Sequence, residues 1–160
     1  MHIRLATPDD LPLVIEIIGE AAAWLEAKGV RQWPSPPNEH WRRRVAGQIA
    51  RGECYLAYRG DEASGTLRLT WTDPYWRNAP QAAGYVHSLA IRTHLHGQQL
   101  GEALLNWAVE QIRQRGRKWV RLDCLASNSR LRRYYEALGF VYRGQVGDHD
   151  YVAALYEREL

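Results

Sequence analysis

The sequence predicts an α/β fold in one domain spanning residues 1–160, a mixed sheet of about seven strands with about four helices. Three observations predict it. A chain of 160 residues suits a single domain with a substantial buried core. Its apolar residues alternate between a period of two and helical spacing in the order β-α-α-β-β-β-α-β-α-β-β. At Leu89–Leu105, LAIRTHLHGQQLGEALL, an apolar strand passes through a glycine-bearing turn into a helical pattern.

His2 to Ala6 alternates and reads as the first strand. Thr7, Pro8 and Asp10 then open a helix with a hydroxyl cap, a first-turn proline and an acid. The stripe Leu11, Val14, Ile15, Ile18, Ala22 and Leu25 carries that helix to Lys28 and Gly29. Prolines and turn residues follow, then a second helix from Glu39 to Arg51. Glu53–Arg59 and Ala63–Thr72 form a hairpin around Gly60-Asp61-Glu62, and Thr72–Ala83 is a loop. Tyr85–Arg92 is the fourth strand. By alternation Tyr85, His87, Leu89 and Ile91 share one of its faces. The next helix shows Leu100, Leu104, Leu105, Ala108 and Ile112 and ends at Arg115 and Gly116. Lys118–Cys124 is a strand, Ser127 or Asn128 caps a helix closing at Gly139, and Phe140–Val146 and Asp150–Arg158 complete the sheet.

Composition narrows the function classes. With 46% hydrophobic and 24% charged residues and a net charge of +3, the chain suits a soluble globular protein with an anionic ligand. The arginines at 42–44 and at 130, 132 and 133 read as solvated helix faces, so no nucleic-acid partner is expected. The two cysteines, Cys54 and Cys124, form no metal-binding or disulfide pattern. No apolar run approaches the roughly 20 residues that span a bilayer, and the N-terminus lacks a signal-peptide core. A cytoplasmic protein without a membrane partner is the expectation.

The turn at Gly97 and Gly101 carries the chemical signal. The first N–H groups of a helix have no partner inside it, and the helix dipole adds partial positive charge there. Such a junction can seat a phosphate. It is neither a P-loop nor a dinucleotide fingerprint, since it lacks Lys-Ser, Lys-Thr and GxGxxG.

These residues resemble the GNAT (Gcn5-related) N-acyltransferases, whose motif is L-x-V-x-P-x-x-(R/Q)-G-x-G-x-(G/A)-x-x-L-L. Leu89, Ile91, Gly97, Gly101, Leu104 and Leu105 fall in register with it. The later stretch NSRLRRYYEALGF is similar to the family's second pattern, with Tyr135 four residues before Gly-Phe. The chain departs from the first motif at Thr93 (Pro), His96 (Arg or Gln) and Gln99 (Gly).

The resemblance implies a mostly antiparallel sheet and transfer of an acetyl group from acetyl-CoA to a primary amine, without a metal. It implies that Leu89, Ala90 and Ile91 run along the pantetheine arm. The phosphate turn comprises His96, Gly97, Gln98, Gln99, Leu100, Gly101 and Glu102. Asn128, Arg130 and Tyr135 also face the donor. Tyr135 is the implied general acid, with Tyr134 as fallback, and His87 is the candidate general base. The acceptor, a small cationic molecule, is expected among Trp24, Trp33, Trp71, Tyr75, Trp76 and Tyr85, with Glu26, Glu39 or Asp73 as carboxylate partner. A protein amine and a non-catalytic acyl-CoA-binding domain are the alternatives. Pairing of Tyr151–Tyr156 into a homodimer is also open to the chain.

Overall fold

The computed structural model describes residues 1–80 and 82–160; Gln81, inside the predicted loop, lies outside the described residues. The elements follow the predicted order: β1 (His2–Leu5), α1 (Leu11–Glu26), α2 (Glu39–Ala50), β2 (Cys54–Arg59), β3 (Glu62–Thr70), β4 (Ala83–Ile91), α3 (Leu100–Gln114), β5 (Trp119–Leu125), α4 (Ser129–Ala137), β6 (Val141–Gly147) and β7 (Val152–Glu159). The strands hydrogen-bond in the order β1-β2-β3-β4-β5-β7-β6. Pairing is parallel between β4 and β5 and antiparallel in the β1–β2, β2–β3, β5–β7 and β6–β7 pairs.

The chain divides into two compact units, residues 1–69 with 88–106 and residues 70–87 with 107–160. In the first, α1 buries Val14, Ile15, Ile17, Ile18 and Ala21 with Val45 and Ile49 of α2, Leu56 of β2 and Ala90 of β4. The start of α1 differs from expectation. Pro8–Asp10 forms a short 3-10 turn, and the Asp10 carboxylate accepts from the Thr7 backbone N–H at 2.7 Å and from its hydroxyl at 2.9 Å. It also accepts two bonds from the Arg4 guanidinium, at 2.7 and 2.8 Å. Arg4 holds this carboxyl well below the usual carboxylate range. At Gly65 a Cβ would lie 2.7 Å from the Ala90 carbonyl oxygen, so only glycine admits this approach of β3 to β4.

In the second unit, Trp76, Ala83, Tyr85 and Leu155 form a core cluster. The parallel register runs from Ala83 opposite Trp119 to Val86 opposite Leu122, and β5 continues to Leu125 against β7. The expected alternation along β4 does not hold throughout. Ser88 has φ +49°, a left-handed conformation that interrupts the pleat, so His87 and Leu89 are not related by simple alternation.

Both cysteines are buried and free, and burial pushes their thiols up to about 11 for Cys54 and about 12 for Cys124. No helix among the described residues is long and apolar enough to cross a membrane.

Candidate active site

The turn between β4 and α3 lies in the first unit. Arg92 leaves β4 with its N–H on the Ser64 carbonyl at 3.0 Å and its guanidinium on the Ala63 carbonyl at 2.9 Å and on Glu20 at 3.0 Å. Thr93–Leu95 forms a 3-10 turn, and His96, Gly97, Gln98 and Gln99 are exposed. Gly97 has φ +80° and Gln99 φ +60°. Gln99 accepts the first helical bond of α3, from Ala103 N–H at 3.0 Å. The N–H groups of Leu100, Gly101 and Glu102 therefore face out of the helix end. Gly101 belongs to the first turn of α3 and not to the loop assigned to it from sequence; the second left-handed position is Gln99. A Cβ built on Gly97 meets nothing within 4 Å, so the turn offers open space beside donors, which fits an anionic group. His96 donates from Nε2 to the Ile91 carbonyl at 3.0 Å and lies edge-on to Trp24, with ring centroids 4.8 Å apart. A cation also reaches the turn, because Arg59 hydrogen-bonds to Gln98.

The second unit holds an imidazole between two carboxylates. His87 comes from β4, Asp73 and Thr70 from the end of β3 and the loop after it, and Asp123 from β5. Asp73 Oδ2 lies 3.3 Å from His87 Nε2, while its Oδ1 accepts from Tyr75 N–H at 2.7 Å. The Thr70 hydroxyl donates to the Thr72 carbonyl at 3.1 Å, which leaves its oxygen to accept from His87 Nε2–H at 3.2 Å. These two acceptors place a proton on Nε2. Nδ1 faces Asp123 Oδ1 at 3.8 Å. Burial, aided by the neighbouring Asp73 charge, raises the Asp123 carboxyl to about 6. The three side chains converge closely enough to hold a cation.

Tyr135 lies in this unit, and burial drives its phenol well above the ordinary tyrosine value. It is protonated throughout the physiological range, as a proton donor must be. Asn128 is buried and caps α4, its side-chain oxygen accepting from Leu131 N–H at 3.1 Å. Arg130 and Tyr134 are exposed. Leu89 is half-buried, whereas Ala90 and Ile91 are buried.

The aromatic residues expected around an acceptor fall in both units. Trp24 and Trp33 lie in the first unit, Trp71, Tyr75, Trp76 and Tyr85 in the second. Lys28 stands 4.6 Å from the Trp24 ring and Arg115 4.1 Å from the Trp71 ring. Trp76 and Tyr85 are buried around Arg121, whose guanidinium lies 4.7 Å from the Trp76 ring and donates to the Tyr85 hydroxyl at 3.1 Å. Their packing serves the core. Trp33 packs against the first unit's core. Sequence reasoning passed over Thr70, Asp123, Glu20 and Arg59. Only Asp123 carried a local signal, a carboxylate inside the apolar run of β5.

The mixed sheet, with a turn of left-handed residues leading from β4 into the N-terminus of α3, is the fold of an acyltransferase family. Residues 6–140 match the acetyltransferase (GNAT) family. The chain belongs to that family and is an N-acetyltransferase. It is 25% identical over 145 residues to the uncharacterized N-acetyltransferase YesJ of Bacillus subtilis, covering 87% of this chain and 81% of YesJ. Its fold is similar to that of the PaiA N-acetyltransferase of Thermoplasma acidophilum, solved with coenzyme A, at a TM-score of 0.76, with 19% identity and coverage of 99% and 98% of the two chains. It is equally similar to the aminoglycoside acetyltransferase AAC(6')-Ib, also solved with coenzyme A, at a TM-score of 0.76, with 22% identity and coverage of 98% and 93%.

Proposed function

We propose that this protein transfers an acetyl group from acetyl-CoA directly to the primary amine of a small cationic molecule. The imidazole of His87, held between Asp73 and Asp123, carries this reading. The solved relatives with coenzyme A support the donor, and the aminoglycoside acetyltransferase among them supports a small cationic acceptor.

Acetyl-CoA supplies an acetyl group already activated as a thioester. Gly97 to Glu102 receive its phosphates through the backbone N–H groups at the start of α3. Asp123 and Asp73 favour a cation beside His87, since an ammonium compensates a buried carboxylate that is otherwise costly to ionise. His87 Nδ1 takes a proton from that ammonium and frees the nitrogen lone pair for attack on the acyl carbon. As the N–C bond forms and the C–S bond breaks, Tyr135 gives its phenolic proton to the departing sulfur, and the second proton that the nitrogen sheds on becoming an amide restores the phenol.

Incubation with acetyl-CoA and a panel of polyamines, amino sugars and amino acids, followed by coenzyme A thiol release and mass spectrometry, tests this. At least one small cation should gain 42 Da, the mass of an acetyl group less a hydrogen. His87→Ala should lower kcat/KM by about a hundredfold near pH 7. Thiol release with none of these amines, or a His87→Ala rate within twofold of wild type, would contradict the assignment.

A further inference from the structure

We propose that Glu20 of α1 is a positioning residue for the donor, holding through Thr93 the turn before α3 in the conformation that receives an anion. This rests on the reading of that turn as the acetyl-CoA phosphate seat. Glu16, Glu20, Trp24 and Lys28 follow one another at intervals of four and so form a single stripe. Glu20 and Trp24 take hold of the turn, and Glu16 reaches only Arg92 before it. Glu16 pairs with Arg92 at 2.7 Å, Glu20 with Arg92 at 3.0 Å, and Trp24 meets His96.

Glu20 differs from its neighbours in the stripe because it also grips the backbone. Its Oε1 accepts from Thr93 N–H at 2.6 Å and from the Thr93 hydroxyl at 2.5 Å. One carboxylate oxygen thus fixes the main chain and the rotamer of the residue that opens the 3-10 turn. That N–H would otherwise be an orphan donor.

His96 to Gln99, which follow the 3-10 turn and its buried Leu95, are exposed, two of them at positive φ, and Gly97 has open space where a side chain would stand. Apart from the contacts of His96 with Ile91 and Trp24 and of Gln98 with Arg59, this segment takes its conformation from its two ends, the 3-10 turn that Thr93 opens and the start of α3. Without the Glu20 anchor the competent conformation is a smaller share of the ensemble. The apparent donor constant rises by the inverse of that share, while the chemical step is untouched.

Steady-state rates with acetyl-CoA varied, at saturating concentration of an active amine, test the proposal. Glu20→Ala should raise KM for acetyl-CoA about tenfold with kcat within twofold. Thr93→Pro added to Glu20→Ala should restore KM to within threefold of wild type. Proline removes both groups that Glu20 satisfies and presets φ, and Arg92, at φ −52° and ψ 138°, already has the backbone that precedes a proline. Glu16→Ala should leave both constants within twofold, since Glu16 meets only the Arg92 head group from an exposed position.

Glu20→Gln guards against a misfolded alanine variant and should raise KM about threefold. An unchanged KM in Glu20→Ala or Glu20→Gln overturns the proposal. So does a fall in kcat with KM unchanged, a failure of Thr93→Pro to rescue, or an equal rise in KM from Glu16→Ala. If wild type shows neither turnover nor thermal stabilisation with acetyl-CoA, the donor site itself is refuted, and the anchor with it. A saturable wild type with unaltered variants refutes the anchor alone.

Discussion

Gln99 sits at φ +60°, where an L-residue with a side chain pays roughly 1–2 kcal/mol relative to its right-handed conformation. Replacing it by glycine removes that cost and adds unfolded-state entropy, so Gln99→Gly should change stability by only about 0.5–1 kcal/mol, in the stabilising direction. Urea titration measures it. Gly97→Val is the opposite experiment: a β-branched residue at φ +80° should cost about 1–3 kcal/mol and abolish acetyl-CoA binding. Asp123 makes a prediction about pH. Its folded pKa, about 6, lies above the ordinary value of 3.8, because burial and then Asp73 oppose its charge. The native state therefore holds the proton more tightly than the unfolded chain does. Wild type and Asp123→Asn should be equally stable near pH 4, and wild type should lose ground as pH rises through about 6. By pH 8 the difference should reach about 2–3 kcal/mol in favour of Asp123→Asn. Parallel stability curves across that range would contradict the assigned environment, in which Asp73 and His87 face the carboxyl.

At the scale of elements, β5 shows where sequence reasoning stopped. Its run KWVRLDC reads as a strand, and alternation puts Arg121 and Asp123 on one face, but polarity alone would turn that face to water. Arg121 is instead 2% exposed, paired with Glu157 at 3.0 Å and donating to the Pro80 carbonyl at 2.8 Å. Removing Arg121 leaves Glu157 with only the exposed Arg143, at 2.9 Å, and takes the buried donor from the Pro80 carbonyl and the Tyr85 hydroxyl. Arg121→Ala should destabilise by about 3–5 kcal/mol, measured by urea unfolding, with Glu157→Gln in the same background recovering part of the loss. The turn into α3 and the helix carrying Tyr135 were legible as structure because their signals are local, a glycine turn followed by helical spacing and an asparagine cap with Gly139 just past the helix end. The His87 cluster was not, because Thr70, Asp73, His87 and Asp123 come from three separate segments. Ser88 escaped for a different reason: nothing in a serine announces a positive φ, and that one residue breaks the alternation on which the face assignment of β4 depended. Tyr85 and Trp76 read as amphipathic aromatics fit for a pocket, and only the buried guanidinium beside them explains their place in the core.

At the scale of the molecule, the element order among the described residues was legible, because several boundaries carry a chemical marker: a cap at Asn38 and Asn128, a left-handed glycine at Gly29, Gly116 and Gly139. Family membership then joins this fold to acetyl transfer, and the turn from Gly97 to Glu102 is the proposed seat of acetyl-CoA. The thermal midpoint of the wild-type protein, measured against acetyl-CoA concentration beside Gly97→Val, tests this without knowledge of the acceptor. A ligand that binds only the folded state at a hundred times its dissociation constant adds about 2.7 kcal/mol, so the midpoint of wild type should rise saturably by several degrees while that of folded Gly97→Val stays level. A wild-type midpoint indifferent to millimolar acetyl-CoA, or an equal rise in both proteins, would contradict it.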